Sequence, residues 1–204
     1  VGADGKPVSA AAWAYTGDGC TTEIGIYDDA YYAEFEGVGK GWWFSYLLSH
    51  PRRGHFIDSP VEGLSFATPT HAGMTDEAGA FDFFPDEKVS LSIGRYVLGS
   101  TVADHRISPL DLFEMADTDS AEVINMARLL QSLDADANPS DRITITPDVV
   151  AALDAAMGRL GLSAFDFSNG VEIEAILDET LYEASQRGLS LIMVSADEAK
   201  AHLE

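Results

Sequence analysis

The feature that most constrains this chain is a change of hydrophobic period near its middle. In "KVSLSIGRYVLG" the apolar residues Val89, Leu91 and Ile93 take every second position, with Ser90 and Ser92 between them, the pattern of a half-buried strand. In "AEVINMARLLQSL" the residues Val123, Met126, Ala127, Leu130 and Leu133 recur instead at spacings of three and four, the stripe of an amphipathic helix. Before the change the chain is rich in aromatic and β-branched residues broken by Gly, Asp and Pro; after it, helix caps recur. The expected fold class is therefore α+β. A β-rich domain is expected over 1–103, the changeover at about 104–118, and a helical segment packed on the β-rich part over 104–204.

Short strands are expected near 8–15, 23–27, 30–36, 41–48, 55–58, 63–67, 80–84, 88–93 and 95–98. "AYYAEFEGVGKGWWFSYLL" (30–48) reads as a hairpin with Gly37, Gly39 and Gly41 in the turn. Asp119 with Glu122 forms a capping box for the first helix. Thr146-Pro147 is an N-cap followed by first-turn Pro, and Gly161 is placed to end that helix. A third helix is expected over about 171–187 before Gly188. A strand-like run, "LSLIMV" (189–194), then precedes a second capping box, Ser195 with Glu198. No internal repeat stands out.

Charge restricts the partners. With 34 Asp plus Glu against 12 Lys plus Arg, the formal net charge of -22 repels phosphate backbones and anionic membranes, so nucleic acid is not an expected partner. Such acidity fits either adaptation to high salt or cation binding at clustered carboxylates. Only four lysines accompany eight arginines, which points towards a marine or halophilic source. Cys20 stands alone, so no intrachain disulfide can form. No apolar run reaches the roughly 18 residues that suggest a membrane span. A chain that begins at Val1 is expected if a signal peptide or upstream domain has been removed, which is compatible with export.

The stretch 57–100 carries a denser pattern: Ser59-Pro60-Val61 with Gly63, then Thr75-Asp76, Gly79 and Phe81, then Ile93-Gly94 and Leu98-Gly99. With "SPLDL" (108–112) and "NMARLLQSLDADANP" (125–139), it resembles a module of secreted lipoproteins and surface proteins of Gram-negative bacteria, over about residues 56–150. Its "GMTDEAGAF" is similar to the turn of transthyretin-like and carboxypeptidase-regulatory-like β-sandwiches. There Asp76 is expected to bond its own turn, Gly79 to take a positive φ, and Phe81 to re-enter the core. The resemblance implies a β-sandwich in an exported binding or adhesion protein, secreted, periplasmic or on the outer surface. It supplies no catalytic residues.

Two clusters carry candidate chemistry. In "LDADANPSDRITIT" (133–146), Asp134, Asp136 and Asn138 take the first, third and fifth positions of a calcium loop. Pro139 then stands where the loop's Gly belongs, and Ile145 where its bidentate Glu belongs. With two residues counted as an insertion, Asp141 or Asp148 completes the cage. The alternative is an acidic turn whose side chains cap the flanking helices.

The second cluster is "YDDAYYAEFE" (27–36), where strand alternation places Tyr32, Glu34 and Glu36 on one face. Together with Trp42 and Trp43 these residues form a candidate ligand-binding surface for a carbohydrate or protein. The same carboxylates leave a carbohydrate-active enzyme or accessory domain as an alternative, and a subunit that only docks on a partner protein as another. "SHPRRGHF" (49–56) gathers His50, Arg52, Arg53 and His55 into a basic knot that receives an anion or pairs with the chain's own acidic surface. A zinc site from His50 and His55 with His71 or Asp58 is a lesser option. None of the common nucleotide, nucleophile-elbow or zinc-protease motifs occurs.

Overall fold

A computed structural model describes residues 19–27, 30–37, 48–49, 51–57, 59–138 and 141–203, the first three runs through their backbone pairing alone. The chain divides into two compact units, Val1–Arg52 and Arg53–Glu204. The expected domain limit at 103/104 falls inside the second.

In the first unit, β1 (Gly19–Tyr27) pairs antiparallel with β2 (Ala30–Gly37), and β2 with β3 (Leu48–Ser49). Tyr27 opposes Ala30, so only Asp28 and Asp29 connect the first two strands. β1 carries a register shift between Cys20 and Glu23, whereas β2 keeps its two-residue period. The pairing of Ala30 with Ser49 and Tyr31 with Leu48 is the expected 30–48 hairpin at its open end.

The second unit is α+β. Its strands are β4 (Arg52–Phe56), β5 (Val61–Glu62), β6 (Ser65–Ala67), β7 (Ala72–Met74), β8 (Ala80–Phe83), β9 (Lys88–Ile93), β10 (Tyr96–Val102), β11 (Arg106–Ile107) and β12 (Ile143–Thr144). They form a sheet in the order β10-β9-β6-β7, a second in the order β11-β4-β8, and the parallel pair β12-β5. The expected strand at 63–67 begins only at Ser65 because Gly63, at φ +90°, turns the chain against Ile145, whose carbonyl a Cβ at residue 63 would meet at 2.2 Å.

A 3-10 turn over Pro109–Leu112 leads to the helices α1 (Ala121–Ser132), α2 (Pro147–Leu160), α3 (Gly170–Gln186) and α4 (Ala196–Leu203). The cap of α1 is Ser120, one residue beyond the expected Asp119. Ser120 Oγ is exchanged with Asp117, accepting its N–H and donating to its carboxylate, each at 2.9 Å. The other caps match expectation. Thr146 Oγ1 accepts from Val149 N–H, Gly161 ends α2 at φ +69°, and Ser195 and Glu198 bond reciprocally. The run 189–194 does not join a sheet. It follows Gly188 without helix, turn or bend, and Val194 at its end is bonded to Arg128 and Ser132 of α1 instead. High β-propensity needs a strand neighbour, and here a helix occupies that side.

Strands and helices share one core. Phe56, Phe81, Leu91 and Tyr96 from the strands lie in the same buried cluster as Met126, Leu130, Leu153 and Ile176 from the helices. Burying each such side chain contributes roughly 1.5–3 kcal/mol relative to exposure. Phe66 of one sheet meets Phe81 of the other with ring centroids 5.8 Å apart. The turn before β8 forms as the sequence indicates. Asp76 Oδ1 accepts from Ala78 and Ala80 N–H at 2.9 and 3.0 Å, Gly79 sits at φ +70°, and Phe81 is 2% exposed.

Candidate functional site

The acidic loop between α1 and β12 is built around one carboxylate. Asp134, at the end of α1, is fully buried; its Oδ1 accepts from Thr144 N–H at 2.8 Å and its Oδ2 from Asn138 N–H at 2.7 Å. Asp136 Oδ1 accepts from the same Asn138 N–H at 3.0 Å. Ala135 N–H returns to Thr144 C=O at 3.0 Å, so the loop closes on itself through main chain and side chain together. Burial pushes the Asp134 carboxyl above its usual range; the neighbouring Asp136 adds to this, while the N–H donors of Thr144 and Asn138 oppose it.

The remaining loop candidates are less enclosed. Asp136, Asn138 and Asp141 are exposed, and Asp141 Oδ1 accepts from Arg142 N–H at 2.7 Å. Asp148 is exposed in the first turn of α2. Pro139 lies outside the described residues. Among the described residues no three His, Cys, Asp or Glu side chains converge as a metal-ligand group.

Tyr32, Glu34 and Glu36 occupy alternate positions of β2, opposite Gly25, Glu23 and Cys20. Their side chains, together with Trp42, Trp43, His50 and Asp58, lie outside the described part of the chain. In the basic knot, Arg53 pairs with the Asp76 carboxylate at the β8 turn, so part of it neutralises the chain's own acidic surface.

Beside the acidic loop lies a cleft of about 240 Å³. It is lined by Ala137 of the loop, Gln131 of α1, Ile192, Met193 and Val194 of the 189–194 run, and Glu198 and His202 of α4. Local bonds fix this lining. Arg128, half-buried on α1, donates from Nε to Val194 C=O at 2.9 Å, and Ser132 Oγ accepts from Val194 N–H at 2.9 Å. His202 Nε2 lies 2.8 Å from Ser59 Oγ, which ties α4 to the turn after β4. Glu198 Oε2 accepts both the N–H and the hydroxyl of Ser195; these bonds, the hydroxyl's first, hold the Glu198 carboxyl below the usual range, so it stays ionised.

The acidic loop and the Ser195–Glu198 cap are separate features of the sequence. What brings them together is the 189–194 run, whose backbone bonds to α1 have no signature in local sequence. Ligand pockets for drug-sized molecules span about 300–1,000 Å³. At about 240 Å³ this cleft suits one or two side chains of a larger ligand. Among the described residues no helix is long and apolar enough to cross a membrane. Neither a family model, nor a curated protein sequence, nor a solved structure matches the chain.

Proposed function

We propose that this chain is a non-catalytic binding or adhesion module of an exported cell-surface or periplasmic assembly, a transthyretin-like β-sandwich carrying a helical layer. The sandwich reading is supported by the two sheets whose Phe66 and Phe81 rings meet, and by the Asp76–Gly79 turn. The observation that carries the binding reading is the construction of the cleft. Polar groups in and around it hold its lining in place: Asp134 bonds Asn138 and Thr144, Arg128 bonds Val194, Glu198 Oε2 bonds Ser195, and His202 bonds Ser59. A surface held from several sides is preorganised, which lowers the ordering cost of taking a ligand.

Calcium, in this reading, is structural. A cation near Asp136 relieves its repulsion with Asp134 and fixes the loop that supplies Ala137 to the cleft lining.

The test is binding of the purified chain to glycan and peptide panels, with calcium present and after chelation, while released product is followed in the same samples. Saturable binding without product supports the module. Product release from any bound substrate overturns it in favour of a carbohydrate-active or other enzyme.

A further inference from the structure

Resting on that binding reading, we infer that the cleft takes a cationic peptide in extended form, which pairs with the free edge of the 189–194 run and offers an ammonium or guanidinium to Glu198. The main chain of Val194 is engaged by α1 on both its N–H and its C=O. The N–H and C=O groups of Leu191 and Met193 have no hydrogen-bond partner among the described residues. An unpaired main-chain edge of β-prone sequence accepts an added strand, and the added strand supplies affinity through backbone bonds.

The side chains set which strand. Ile192 is 59% exposed beside the edge and offers apolar contact to alternate side chains of the incoming peptide. Glu198 uses Oε2 for Ser195, and its Oε1 accepts no hydrogen bond among the described residues, which leaves an ionised oxygen for ligand in the cleft lining. The formal charge of -22 favours a cationic partner over an anionic one and speeds the encounter. A sugar can use Ile192 and Glu198 and bond single main-chain groups, but lacks the alternating N–H and C=O groups that pair with the edge in register.

The experiment titrates the full chain, at low salt, with an acetylated and amidated Val-Lys-Val-Lys-Val-Lys peptide, its Val-Glu counterpart, and a lysine peptide N-methylated at alternate residues, with backbone amides followed by NMR. The lysine peptide is expected to shift the amides of Leu191 and Met193. The N-methylated and glutamate peptides are expected not to bind.

Glu198→Gln keeps an oxygen for the Ser195 cap but removes the charge, and should weaken the lysine peptide about fivefold. Glu114→Gln, an exposed carboxylate in the loop before α1, should leave it unchanged. Equal weakening by both variants, or equal binding of the N-methylated peptide, shows attraction by overall charge alone and overturns the inference. Glycan binding with no peptide binding overturns it too, yet leaves the binding module standing. Failure of every peptide and glycan fells both.

Discussion

The buried carboxylate of Asp134 accepts the backbone N–H of Thr144 at 2.8 Å across ten residues of chain. Together with Ala135 N–H to Thr144 C=O, this bond joins the end of α1 to β12, and β12 pairs in turn with β5 through Ile143 and Val61. A titratable group therefore sits where the end of α1 meets β12. Asp134→Ala strands the N–H of Thr144, leaves that of Asn138 to Asp136 alone, and should cost about 1–3 kcal/mol. Urea unfolding of the variant reads this directly, and a loss within the scatter of surface substitutions would sink the assignment.

The pH dependence of two aspartates should run in opposite directions. Burial raises the folded-state pKa of Asp134 above the ordinary 3.8, with Asp136 adding to it. Its proton is bound more tightly in the folded state, so its stability contribution is full below the unfolded pKa and lost as pH rises through the folded pKa. For Asp76 desolvation also pushes upward, but the N–H groups of Ala80 and Ala78 and the Arg53 guanidinium outweigh it, and its pKa falls below 3.8. Its contribution is present above the unfolded pKa and lost as pH falls through the folded one. The penalty of Asp134→Asn should therefore be greatest in acid and shrink towards neutrality, whereas that of Asp76→Asn should be greatest near neutrality and vanish in acid. Parallel unfolding series from acid to neutral pH decide between these slopes and a common one.

Calcium gives a third test. Thermal unfolding after chelation, with calcium added back at low and high sodium chloride, should show a midpoint that rises with calcium and is largely indifferent to sodium. Asp136→Asn should abolish the rise, since Asp136 is the exposed carboxylate beside Asp134. Equal stabilisation by sodium alone would make the loop a solvated helix connection.

Two glycines separate conformation from crowding. Gly161 and Gly79 share the left-handed region, at φ +69° and +70°, yet a Cβ at Gly161 meets nothing within 4 Å, while one at Gly79 would lie 2.5 Å from Phe56 C=O. Gly161→Ala should cost about 1 kcal/mol for the backbone conformation alone. Gly79→Ala adds a clash with main chain that cannot swing aside, and should cost roughly 3 kcal/mol or more. Equal losses would remove the close approach as a reason for Gly79.

What could be read in advance divides along physical lines. The Asp76–Gly79–Phe81 turn, the Thr146 and Ser195 caps and the strand at 88–93 were legible because each is decided within a few residues by side-chain bonding, a positive φ or a two-residue period. The short strands β7, β11 and β12 were not. β11 and β12 run parallel to β4 and β5, partners far away in sequence, and their two-residue length carries no period. The 189–194 run differs for the same reason, since its propensity is that of a strand but the main chain of Val194 at its end is taken by Arg128 and Ser132 of a helix. Asp134 was marked as a candidate ligand, while its burial, set by the meeting of α1 and β12, left no trace in the local pattern.

Arg128 provides the last prediction, because it links stability to the cleft. Its side chain is only 11% exposed, its Nε donates to Val194 C=O at 2.9 Å, and its Nη1 lies 3.7 Å from Glu174 of α3. Arg128→Met keeps most of the apolar stem but removes the donors, leaving the Val194 carbonyl without its partner and should cost about 1–3 kcal/mol. If the bond holds the cleft lining, the loss will not be spread evenly. Amide exchange should accelerate at Val194, whose N–H is bonded to Ser132, while the amides of β9 and α2 keep their protection relative to global stability. Uniform acceleration across the second unit would mean that Arg128 supports the core as a whole and that the 189–194 run is held by its apolar contacts instead.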